Sequence, residues 1–106
     1  MAKKKILLVC NAGMSTSLLV TKMQKAAEKD NVDVDIAATA SADISNKING
    51  ENPNVMMLGP QVRYMQKDLA AKYDFPVEVI NMQDYGMMNG ENVLKAALKI
   101  IDQEDK

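Results

Sequence analysis

The chain has 106 residues, of which 47% are hydrophobic and 25% charged, and its formal net charge is −1. This length and composition are typical of a single globular domain, so we expect residues 1–106 to form one. The charge balance argues against a nucleic-acid partner, and one cysteine with no histidine excludes a disulfide framework and argues against a metal site.

The predicted elements begin with a strand and a helix on either side of the single cysteine. Residues 4–9 end in an apolar run that predicts a buried strand, and residues 16–29 carry apolar side chains at helical spacing. Cys10 directly follows the strand. The sequence therefore predicts a thiol at the mouth of a strand-to-helix loop.

The next two predicted elements are an edge strand and a short helix. Residues 32–36 alternate apolar and acidic side chains, which is typical of a strand with one face in water. A short helix is predicted from Ala42, because Ile44 and Ile48 lie one turn apart and Asn49 with Gly50 follows them.

The second half of the chain repeats this alternation. Residues 55–58 are apolar throughout, which predicts a central strand, and a helix is predicted over residues 61–73. Residues 77–80 form the fourth predicted strand. The apolar face of the C-terminal helix is marked by Val93, Ala97 and Ile101.

Strict alternation of strands and helices predicts the α/β class, with a three-layer α-β-α architecture and right-handed crossovers. If strands one and three are central, the four-stranded parallel sheet has the order 2-1-3-4. Its topological switch point then lies between strands one and three, where such sheets bind ligands. The loop after Cys10 begins there.

The loop after Cys10 has the composition of a phosphate-binding loop. Its residues are Asn11, Ala12, Gly13, Met14, Ser15, Thr16 and Ser17. Backbone N–H groups, three hydroxyls and a flexible glycine could surround an anion, and the following helix directs its positive end toward it. Helix amino termini also favour the thiolate form of cysteine, so Cys10 is predicted to be a nucleophile toward phosphorus.

Other interpretations of Cys10 remain open. A lone cysteine at a strand end is often only a small buried hydrophobe. Low-molecular-weight cysteine phosphatases share the strand-loop-helix arrangement, but they typically carry an arginine six positions after the cysteine, where this chain has Thr16. A phosphatase-like enzyme is therefore the alternative to a phosphoryl carrier, and a non-enzymatic regulatory module is the third possibility.

Residues 10–20, read as CNAGMSTSLLV, closely resemble the B components (IIB) of the bacterial phosphoenolpyruvate-dependent sugar phosphotransferase system. The match is to the lactose/cellobiose class, in its cellobiose and N,N'-diacetylchitobiose branch. It continues in residues 58–61, 64–65, 76–80, 85–86 and 93–97. The resemblance implies a fold like that of low-molecular-weight tyrosine phosphatases.

The resemblance also implies a role for Cys10 and two partners. In that family the matching cysteine accepts a phosphoryl group from a phosphohistidine of the A component (IIA). It passes the group to a sugar, such as cellobiose, chitobiose or another β-glucoside, bound in the membrane-embedded C component (IIC). No cofactor is implied. The chain is expected to be cytoplasmic, because no apolar run is long enough to span a bilayer, and to meet the membrane transiently through IIC.

Four further residues are predicted to lie near Cys10 on the same edge of the sheet. Gln61 is a candidate hydrogen-bond donor, and Met14 is a candidate docking residue. Asp84 would be a general acid in the phosphatase interpretation, although a turn or helix-capping role is favoured. Tyr85 is predicted to shape a docking rim.

Overall fold

In the described part of the chain, parallel strands form one four-stranded sheet with the spatial order β2-β1-β3-β4. The computed structural model describes residues 4–11 and 14–104, without the side chains of residues 14–16 and 104. The strands are β1 (Lys4–Cys10), β2 (Val34–Ala40), β3 (Val55–Leu58) and β4 (Val77–Val79). The order predicted from the sequence is confirmed.

Helices follow each strand. They are α1 (Met14–Lys29), α2 (Ile44–Ile48), α3 (Gln66–Lys72), α4 (Met82–Gly86) and α5 (Gly90–Glu104), with short 3-10 helices at Ser41–Asp43 and Pro60–Met65. Among the described residues, none of these helices combines the length and apolarity that a bilayer crossing requires.

The central strand β1 contributes side chains to a hydrophobic core on each face of the sheet, because alternate side chains of a strand point to opposite faces. Ile6 and Leu8 pack with apolar residues of α1 and α5 on one face. Leu7 and Val9 pack on the other face with residues that include those of α2 and α3. The sheet is thus covered on both sides, and β1 is held from both.

Strand β2 lies at the predicted edge of the sheet but later in the chain than residues 32–36. It pairs with β1 from Lys4↔Val34 to Cys10↔Ala40. Val32 belongs instead to the turn after α1, since its N–H donates to the Ala27 carbonyl at 2.8 Å. Alanine has weak strand propensity, so the local sequence of the second half of β2 does not indicate a strand. Pairing with β1 stabilises this half as a strand.

The helix predicted over residues 61–73 is interrupted. Pro60–Met65 forms a 3-10 helix, and only Gln66–Lys72 is α-helical. Val62 leaves the helical region (φ −116°, ψ 19°), is fully buried, and donates its N–H to the Gly59 carbonyl at 3.0 Å. Burial of Val62 under the sheet therefore sets a tight first turn that helical spacing alone did not predict.

Two further differences concern helix boundaries. Helix α1 begins at Met14, two residues before the predicted start. Helix α4 was not predicted, because five residues are too few to display a helical period; Asn81 caps it by accepting the Asp84 N–H at 3.1 Å. The C-terminal helix buries the predicted face, with Val93, Ala97 and Ile101 all at most 3% exposed.

Candidate functional site

Cys10 is the last residue of β1 and is 2% exposed. It pairs with Ala40 of β2 on one side. On the other side, β1 and β3 pair as far as Val9↔Leu58, and the Gly59 N–H donates to the Val9 carbonyl at 2.7 Å. Gly59, the residue after β3, therefore lies beside Cys10 at the carboxyl edge of the sheet.

Only part of the predicted phosphate-binding loop belongs to the described residues. Asn11 is exposed directly after Cys10, and α1 begins three residues later. Ser17 lies in the first turn of α1, where its carbonyl accepts the Thr21 hydroxyl at 3.2 Å. Of the predicted loop residues, Ala12 and Gly13 lie outside the described residues, as do the side chains of Met14, Ser15 and Thr16. The amino end of a 16-residue helix, with no acidic residue in its first turn, thus follows Cys10 closely.

Residues far apart in the sequence meet at Gly59. A methyl group added to Gly59 would lie 3.0 Å from Gln61 Oε1, 3.4 Å from the Val9 carbonyl oxygen and 3.6 Å from Tyr85 Cε1. The Gln61 side chain and the Tyr85 ring therefore both approach the residue next to Cys10. The structure brings these two sequence-predicted residues together on the β3 side of the thiol.

An open groove of about 520 Å³ lies between α4 and the turn that follows β3, and we call it the α4 groove. It is lined by Pro60, Gln61, Arg63, Tyr64, Met82, Tyr85 and Gly86. Tyr64 is 75% exposed and Met82 61% exposed, whereas Tyr85 is only 8% exposed. A more enclosed cavity of about 260 Å³ lies elsewhere, against Lys5 of β1 and Ile48 of α2.

The Asp84 carboxylate is held by a neighbour on α5. Its Oδ1 accepts a hydrogen bond from Asn92 Nδ2 at 3.1 Å, and its backbone N–H binds the Asn81 side chain. Its carbonyl accepts the Asn89 N–H at 2.8 Å. These contacts fasten α4 to the start of α5.

Sequence reasoning did not single out Arg63 or Tyr64 as site residues. A signal for Tyr64 was available, because it lies three positions after Gln61 in the predicted helix. Near this edge Met82 and Met87 are also exposed, whereas Met88 packs against the core. The aromatic residue Tyr64 near the candidate donor Gln61 was the sequence feature that indicated this groove.

Comparison with known proteins gives concordant results. The family model described as "PTS system, Lactose/Cellobiose specific IIB subunit" matches residues 5–96. The chain is 50% identical to the galactose-specific EIIB component of Lactococcus lactis subsp. cremoris (strain MG1363), over 96% of this chain and 100% of that protein. The cellobiose-specific EIIB component of Lactococcus lactis subsp. lactis (strain IL1403) matches equally, at 50% identity over the same shares.

A solved structure supports the same relationship. The solution structure of the cellobiose-specific phosphotransferase IIB component protein from Borrelia burgdorferi superposes with a TM-score of 0.76 at 39% sequence identity. The superposition covers 96% of this chain and 94% of that one. Sequence and backbone therefore agree along nearly the whole chain.

Proposed function

The chain belongs to the lactose/cellobiose-specific IIB subunits of the phosphotransferase system, and we propose that Cys10 is the residue that carries its phosphoryl group. IIB components are phosphotransferases that work with IIA and IIC partners. Within that role, this chain would accept phosphate on sulfur from a phosphohistidine of IIA and deliver it to a sugar held by IIC.

The observation that carries the proposal is the position of Cys10. The thiol lies at the carboxyl end of a central strand, at the switch point of the sheet, and a long helix begins four residues after it. Ligands of open α/β sheets bind at this place, and the helix amino terminus favours a bound phosphoryl group. Cys10 is 2% exposed, which also limits its contact with bulk water.

The transfer balances without a metal or redox partner. The Cys10 thiolate attacks phosphorus in line, the S–P bond forms, and the P–N bond to the donor imidazole breaks with its electron pair returning to nitrogen. In the second step a sugar hydroxyl attacks phosphorus, loses its proton, and Cys10 leaves as thiolate. Catalysis of this kind rests mainly on positioning and on stabilising the equatorial oxygens.

Residues 11–17 are proposed to supply that stabilisation through their N–H groups and hydroxyls. Gln61, which approaches the neighbour of Cys10, is proposed as an accessory donor. The Asp84 carboxylate accepts from the Asn92 side chain, which supports a structural role over a general-acid role, although Asn81 and not Asp84 caps α4. Thr16, at the position of the phosphatase arginine, supports storage of the phosphoryl group over its hydrolysis.

The sugar is proposed to be a β-glucoside or related disaccharide, selected by IIC. Two relatives with equal identity to this chain are named for galactose and for cellobiose, so overall similarity does not separate the two. This supports a sugar site outside the chain. The protein would then be cytoplasmic and reach the membrane only through IIC.

Intact-mass spectrometry tests the proposal. The wild type and Cys10→Ser are each incubated with phosphoenolpyruvate, the general phosphocarrier proteins and a cellobiose-class IIA. We expect one phosphate on the wild type, located at Cys10 by peptide mapping, and none on the variant. Matching circular dichroism spectra would establish that the variant is folded. A phosphate retained by folded Cys10→Ser would refute the assignment.

A further inference from the structure

We propose that the Tyr85 hydroxyl donates a hydrogen bond to the phosphoryl group while the group is transferred to and from Cys10. This inference rests on the proposed function and adds a catalytic residue to it. It follows from three features of the described residues: the position of the Tyr85 ring, the environment of its hydroxyl and the orientation of Asp84.

The Tyr85 ring is placed next to Cys10 by two long-range contacts. Gly59 follows the last β1–β3 pair, and its N–H donates to Val9, the residue before Cys10. The Tyr85 ring edge lies 3.6 Å from the position of a methyl group on Gly59. The ring thus packs over the residue beside the thiol, on the side away from β2.

Tyr85 lines the α4 groove, and its hydroxyl is not fully enclosed. The residue is 92% buried and its ring belongs to the core formed with α1 and α5. Among the described residues the hydroxyl has no hydrogen-bond partner, and no fully buried side-chain oxygen or nitrogen there lacks one. The hydroxyl of this mostly buried side chain is therefore able to donate to a ligand.

Because the Tyr85 hydroxyl is not fully enclosed, water can satisfy it in the unphosphorylated protein, and a ligand oxygen can replace that water. A phosphoryl oxygen is a suitable partner, since hydrogen bonds to charged acceptors are about twice as strong as neutral ones. The Tyr85 phenol keeps its proton throughout the transfer, and its hydrogen bond stabilises negative charge on the phosphoryl oxygen. The loop after Cys10 and the Tyr85 hydroxyl would then contact the phosphoryl group from different sides.

The neighbouring acid is directed away from this position. Asp84 precedes Tyr85 on α4, but its carboxylate is bonded to Asn92 of α5. A carboxylate directed at a phosphoryl group would repel it. Helix α4 thus sends its aromatic residue toward the sheet and its acid toward α5.

Tyr85→Phe tests the proposal, and Tyr73→Phe is its control, since it also removes one tyrosine hydroxyl but from a ring that stacks on Phe75 outside the α4 groove. Single-turnover transfer from phosphorylated IIA to Cys10 is followed by quenched-flow mass spectrometry at saturating IIA. We expect Tyr85→Phe to slow the saturated rate about tenfold, which corresponds to ~1.4 kcal/mol, with unchanged affinity for IIA. Tyr73→Phe should keep the wild-type rate.

A wild-type rate in Tyr85→Phe, or a loss confined to IIA affinity, would overturn the proposal. A spectroscopic measurement covers the case in which Tyr85→Phe folds poorly. The chain has three tyrosines, so 3-fluorotyrosine gives three assignable ¹⁹F resonances. Phosphorylation of Cys10 should shift the Tyr85 resonance most, and an unmoved Tyr85 resonance would also overturn the proposal. If the wild type itself accepts no phosphate at Cys10, the proposed function fails first.

Discussion

Replacing Gly90 with alanine is expected to destabilise the fold, because it places a methyl group against the backbone of α1. Gly90 is buried at the start of α5. A Cβ there would lie 2.6 Å from the Lys22 carbonyl carbon and 2.7 Å from the Met23 nitrogen. These distances are about 1 Å shorter than an ordinary van der Waals contact. Backbone atoms of α1 cannot rotate aside, so the two helices must separate.

The magnitude follows from two opposing effects at Gly90. Overpacking of a core costs ~1–3 kcal/mol, and the upper value applies when the obstacle is backbone. Alanine in a helix offsets about 0.5–1 kcal/mol of this cost through its smaller loss of backbone entropy. We therefore expect a net loss of ~2 kcal/mol in the free energy of unfolding. For a domain of this size that corresponds to a fall in Tm of roughly 10–15 °C.

Gly86→Ala is the matched control. Gly86 is the last residue of α4, and nothing lies within 4 Å of a Cβ built there. Neither Gly86 nor Gly90 has a positive φ, so backbone strain does not separate them. Urea unfolding is followed by circular dichroism, because the chain has no tryptophan. Equal midpoints for Gly90→Ala and the control would refute the clash.

Substitutions at two further positions test the local backbone conformation. Asn89→Ala removes the side chain that accepts the Asn92 N–H at 3.0 Å, and the loss of this helix cap should lower the unfolding free energy by ~1 kcal/mol in urea titrations. Asn31 has φ 57° in the turn after α1, so Asn31→Ala should lower the thermal midpoint while Asn31→Gly should maintain or raise it. Equal midpoints for the two Asn31 variants would contradict the backbone argument.

Much of the fold was predictable because its signals are local. The apolar runs of β1 and β3 and the stripe on α5 marked buried elements, and their alternation predicted the sheet order that the structure has. The boundaries of β2 and the interruption before α3 were not predictable. They depend on pairing with β1 and on burial of Val62, which are contacts between distant parts of the chain.

The amino-acid sequence alone predicts a single thiol at the end of a central strand, before a loop and a helix. These features lie within about twenty consecutive residues, so local hydrophobic periodicity and the nearby glycine and hydroxyl residues are enough to predict them. The positions of Gly59 beside Cys10 and of Tyr85 over Gly59 depend on tertiary contacts and could not be predicted from the sequence. These residues are separated by tens of positions. Parallel pairing of β1 with β3, and packing of α4 on the sheet edge, bring them together.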